Sequence, residues 1–127
     1  MPDLLPVLVA TVVAFLISGV WYAGVGARLA SLHEAYASPR PRALTALVEL
    51  VRNVVLALVT AGIAERVGVS GGSGGLLLGL VLWVGFPAVI LSGSVFHERV
   101  PWQLAAIHAG DWLLKLLAVT AIVGAWQ

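Results

Sequence analysis

Four apolar runs fill nearly the whole of this 127-residue chain, at about residues 4–24, 43–64, 75–96 and 102–124. Each is long enough to cross a bilayer, which takes roughly 20 residues as a helix. Lipid offers no water to backbone N–H and C=O groups, so runs of this kind must be helices, whose hydrogen bonds close within the segment. The expected fold is all-α: an integral membrane four-helix bundle forming a single domain. The chain is 61% hydrophobic and 10% charged, where a soluble domain carries about 25% charge. A net charge of +1 gives no basic surface for nucleic acid. With no cysteine, disulfides, thiolate nucleophiles and Cys-ligated zinc are excluded together.

The fourth run is the least ordinary, because it carries His108, Asp111 and Lys115 near its middle. A charge at that depth costs about 2.5–3.5 kcal/mol on insertion scales, so such groups face a bundle interior and mark a site. At 100° per residue His108, Asp111, Trp112 and Lys115 share one face, and Ala106, Gly110 and Leu117 take the other. The second run holds a matching stripe of Thr45, Glu49, Arg52, Asn53 and Thr60. Glu49 and Arg52, three apart, are spaced to pair.

The connections are informative too. The first run begins with Asp3 rather than Lys or Arg, unlike a cleaved secretory signal, and ends in Trp21-Tyr22, an aromatic pair suited to the headgroup level. Within residues 25–42, Leu29, Leu32 and Tyr36 recur at spacings of three and four among Arg28, His33 and Glu34. That pattern predicts a short amphipathic helix on the cytoplasmic membrane surface, stopped by Ser38-Pro39-Arg40-Pro41. Residues 65–74 read as a flexible turn rich in glycine and serine. Gly75 and Gly79 begin a small-xxx-small pattern, for helix packing or an oligomer seam, to which Ala106 and Gly110 also contribute. Pro87 should kink the third helix near mid-membrane and free a carbonyl around Trp83.

Orientation follows from arginine. The loops sharing one side, 25–42 and 97–101, hold Arg28, Arg40, Arg42 and Arg99, while the other side holds Arg66. The bias puts those loops in the cytoplasm and both termini outside the cell membrane. Counting depth at 1.5 Å per residue, Glu49 and His108 lie about 9 Å in, and Arg52 and Asp111 about 13 Å. The expected site is a neutral polar cluster between the second and fourth helices, made of Glu49, Arg52, Asn53, His108, Asp111 and Lys115. Glu49 with Arg52 and Asp111 with Lys115 are its natural pairs, and Arg52 with Asp111 is an equal alternative. No metal or cofactor is expected: His33-Glu34 and His97-Glu98 both lack the second histidine of a zincin motif. The glycine-rich turn lacks the Gly-Lys-Ser/Thr of a phosphate loop.

Several motifs, taken in order, carry a likeness. Trp21-Tyr22, then Gly79-Leu-Val-Leu-Trp83-Val-Gly85-Phe86, then Phe96-His-Glu98-Arg99-Val-Pro101-Trp102, and finally Ile107-His-Ala109-Gly110 with Gly124-Ala-Trp126 stand at characteristic spacing. The whole chain thereby resembles a prokaryotic family of small four-helix membrane proteins, domain of unknown function seventeen sixty-one. The resemblance implies four helices and no particular activity. Two departures stand out: Ala23-Gly-Val-Gly-Ala-Arg28 replaces a proline and a Phe-Gly-Lys-like stretch, and Asp111 stands where the family has an aromatic. The reading is a non-enzymatic membrane protein, homo-oligomeric in the lipid bilayer, whose cluster binds or passes an ion, proton or small polar solute. Its alternative is an accessory or scaffold subunit of a larger membrane complex, partnered by another membrane protein.

Overall fold

The computed structural model describes residues 3–33 and 40–127, all of them helical or in short connections. α1 spans Leu4–Leu32, α2 Arg42–Val67, α3 Gly71–Gly85, α4 Pro87–His97 and α5 Trp102–Ala125. Counting α3 and α4 together as Gly71–His97, four helical spans are long and apolar enough to cross a membrane. α1 starts where Asp3 caps it, its Oδ1 accepting from the Leu5 N–H at 3.1 Å.

α1 does not stop at the aromatic pair. It continues without a break to Leu32, so residues 25–32 belong to it rather than to a separate surface helix. Glycines at 24 and 26 weaken a helix by roughly 1 kcal/mol each but do not end it as proline does. Leu29, placed by the sequence on an amphipathic face, is buried on this extension. Glu34, Tyr36, Ser38 and Pro39 lie outside the described residues.

α2 ends at Gly68, in the left-handed conformation (φ 80°), whose N–H returns to the Ala64 carbonyl at 3.1 Å. The glycine-rich stretch that follows is not a flexible turn: Gly71 to Gly75 form the first turns of α3. The reason is packing against α5. A Cβ on Gly124 would stand 2.5 Å from the Gly71 carbonyl oxygen and 3.1 Å from the Gly75 Cα. Backbone therefore lies on backbone. Where a kink was expected the span breaks outright, at Phe86 (φ −120°, ψ −77°), before Pro87 opens α4. Phe86 still donates to the Leu82 carbonyl, and Ile90 resumes the ladder to Phe86. The Trp83 carbonyl, whose helical donor would be residue 87, faces a proline. In the 97–101 turn Arg99 adopts φ 57°, a conformation usually left to glycine, while Val100 donates to the Ser94 carbonyl.

α5 is the central element, packed most extensively on α3 and next on α1, with α2 against both α1 and α5. Small residues make this possible. Val7, Ala10 and Ala14 of α1, Ala57, Ala61 and Ala64 of α2, and Val119 and Val123 of α5 form the core. Small side chains let the helix backbones approach closely and make dispersion contacts along their length.

Candidate functional site

The polar cluster forms, but between α1 and α5 rather than between α2 and α5. The two helices run antiparallel, so positions four apart on α1 meet positions three or four apart on α5. At one rung the Tyr22 hydroxyl meets His108 Nδ1 at 2.6 Å. At the next, Ser18 Oγ donates to Asp111 Oδ1 at 2.8 Å. The other carboxylate oxygen, Oδ2, holds Lys115 Nζ at 3.2 Å, and that ammonium also lies 4.2 Å from the centre of the Trp112 ring. Asp111 and Lys115 are 2% and 3% exposed, so the pair is sealed from its surroundings. The charges cancel along one helix, at i and i+4, and the cation rests on an aromatic face as such cations prefer.

Two tryptophans clasp the same part of α5. Trp21 Nε1 donates to the Ile107 carbonyl and Trp83 Nε1 to the Ala109 carbonyl, each at 2.9 Å. Trp21 and Tyr22 thus tie α1 to α5, a role beyond that of an interfacial anchor. Gly110 makes room for this: a Cβ there would sit 2.6 Å from Trp21 Cζ2. Gly110 belongs to the α1–α5 contact, Gly75 and Gly79 to the α3–α5 contact, and Ala106 is exposed. The small-residue pattern of Gly75 and Gly79 is thereby taken up inside the chain.

The α2 stripe divides. Arg52 Nη1 donates to Glu49 Oε1 within α2, and neither meets Asp111. Their side chains are 54% and 27% exposed. Asn53 alone turns inward: it is 1% exposed, beside the Ala57 and Thr60 face, and its Nδ2 has no hydrogen-bond partner among the described residues. Ser18, Tyr22, Trp21 and Trp83 are the cluster members that sequence reasoning did not assign to it.

Neither of two hollows among the described residues is lined by Asp111 or Lys115. One, of about 540 Å³, is an apolar groove bordered by Leu16, Val20, Trp21 and Leu114. The other, about 280 Å³, lies near the chain ends beside Asp3, Glu65 and Trp126. Among the described residues no three His, Asp or Glu side chains gather closely enough to hold a metal ion. The seam beyond Lys115 is closed by Ala10, Ala14, Val119 and Val123. Thr11 and Thr120 there bond back to their own helices, at 2.7 and 2.6 Å.

Ser18→Ala should lower stability by about 0.6 kcal/mol and at most about 1.7, the average and the upper end for hydrogen bonds between membrane helices. Unfolding titrations in mixed micelles would read it, and Thr11→Ala, whose hydroxyl serves only α1, is the control.

Fold and seam together define a four-span helical bundle built around a buried, self-neutralised charge pair. The chain belongs to the family described as Protein of unknown function (DUF1761), whose model matches residues 5–124. No curated protein and no solved structure shows a significant match.

Proposed function

We propose that this chain is a non-enzymatic multi-pass protein of the cell membrane that works by associating with other helices in the bilayer. The observation that carries the reading is the closure of the Asp111–Lys115 pair. Intramembrane charges that serve transport line a water-filled cavity or a relay. Here the two cancel one another at 2% and 3% exposure, and the seam continues outward as alanine and valine. Such a pair holds helix register rather than presenting a ligand surface. The partners are the lipid bilayer and either a second copy or another membrane protein.

One observation favours the reading in which a proton or small polar solute enters. Tyr22 and His108 meet at a half-buried rung. Native mass spectrometry of the particle, released gently from its own membranes, is the deciding measurement. A stable assembly supports association, and a lone monomer with pH-driven flux in liposomes, abolished by Asp111→Asn, would replace it with the solute reading.

In the orientation that the arginines favour, residues 40–41 and 98–101 are cytoplasmic and both termini outside. The absence of native cysteine allows a clean check. Gln127→Cys should react with a membrane-impermeant maleimide in intact cells, and Glu98→Cys only after permeabilisation.

A further inference from the structure

We propose that the Glu49–Arg52 face of α2 is a two-fold interface with a second copy of this chain, inside the membrane. The inference rests on the association reading above and gives it a surface and a partner.

Arg52 lies ten residues into α2, which begins at Arg42, so its Cα is about 15 Å along the span at 1.5 Å per residue. That is close to the middle of a hydrocarbon core about 30 Å thick. An ion pair there belongs inside protein. Yet the Arg52 side chain is 54% exposed and Glu49 27%. The buried stripe of α2, through Asn53, Ala57, Thr60, Ala61 and Ala64, lies on a different face. Arg52 is thus a charge at membrane depth that its own bundle leaves half uncovered.

The residues around it have the spacing of a helix-pairing seam. Thr45, Val48, Arg52, Val55 and Val59 recur at alternating steps of three and four, the pattern that keeps one stripe facing a partner helix. Val48, Val55 and Val59 are 47%, 54% and 54% exposed, and Thr45 is exposed as well. Apart from Arg52 the seam is made of short β-branched side chains, which pack closely and lose little freedom. A single polar residue at a seam position sets register.

Charge complementarity selects the occupant. A two-fold axis along the membrane normal puts two α2 helices side by side in the same direction, with Arg52 and Glu49 of each copy at matching depth. The three-residue offset between them is about 4.5 Å along the axis, within reach of an arginine side chain. Each guanidinium can then bond the carboxylate of the other copy as well as its own, forming a neutral ring of four charges away from lipid. A different partner would have to bring its own balanced charges to that depth.

The experiment uses the full chain in its native membranes. Val48→Cys and Val55→Cys supply single thiols on the proposed seam, and Leu77→Cys supplies one on α3, where Leu77 is 64% exposed. Mild oxidation should yield a covalent homodimer from the first two and not the third. Glu49→Arg should lower the cross-linked fraction of the Val55→Cys chain roughly tenfold, the equivalent of one lost charged contact between membrane helices. Adding Arg52→Glu should restore it. A homo-oligomer by mass with cross-linking absent at both α2 positions would overturn this face and leave the association reading standing. A seam cysteine that cross-links solely to a different protein would overturn the second copy as occupant. A monomer by mass and no cross-linking would overturn both.

Discussion

Lys115→Met on its own is expected to destabilise the bundle by about 3–5 kcal/mol, the usual consequence of leaving one member of a buried ion pair behind. Asp111 would keep its bond from Ser18 but lose the ammonium now 3.2 Å from Oδ2, at a site 2% exposed. Asp111→Leu should cost a similar amount, because Lys115 would retain only the Trp112 ring for company. The double variant Asp111→Leu/Lys115→Met should recover most of the loss, since replacing a whole buried pair by apolar groups is often neutral or stabilising. Unfolding titrations of the four proteins in mixed micelles close the cycle. If both single variants are as stable as the parent, mutual neutralisation of the buried pair does not support the bundle. If the double variant is as damaged as the singles, Asp111 has a task that its neutralised partner does not explain.

Gly75→Ala should also destabilise the bundle, by less, although it adds only one methyl group. The new Cβ would fall on the Thr120 carbonyl, 2.7 Å from its carbon and 2.9 Å from the Ala121 Cα. Both neighbours are α5 backbone, which cannot rotate aside. The α3–α5 contact must therefore open. Overpacking a fitted core costs about 1–3 kcal/mol, and the roughly 0.5–1 kcal/mol that alanine gains over glycine in a helix offsets only part of it. Gly62→Ala is the matched control, because nothing lies within 4 Å of the position a Cβ would take. That change should be neutral or slightly stabilising. Equal stability of the two variants would mean that α3 and α5 are not in backbone contact.

The four spans follow from local properties, which is why they were legible from the chain alone. Apolar length sets each span, Pro41 and Pro101 stand at two helix starts, Gly68 closes one end, and Pro87 divides the third span as its missing N–H requires. Asp111 with Lys115 and Glu49 with Arg52 were among the pairings the spacing offered, but only the structure chose them over Arg52 with Asp111. The extension of α1 to Leu32 was missed because the amphipathic spacing of residues 25–32 is the same whether that helix lies on a membrane or continues a span.

What tertiary structure alone decided is which face of each helix meets which neighbour. In a helix apolar on every side, periodicity gives no inward direction, so nothing marks α1 rather than α2 as the helix opposite Asp111. Thr11 and Ser18 show the limit most clearly. Both are buried hydroxyls on α1, seven residues apart, yet Thr11 bonds its own Val7 carbonyl and Ser18 crosses to Asp111. A hydroxyl in a greasy helix can do either at similar cost, because its own backbone is always in reach. The glycines of α3 are ambiguous in the same way: their composition suits a loose loop, and they became a helix because Gly124 of α5 offered a matching bare backbone. Sequence determined the spans and the charges they carry. The third dimension chose their partners, because those contacts are made between segments whose order in the chain says nothing about their rotation.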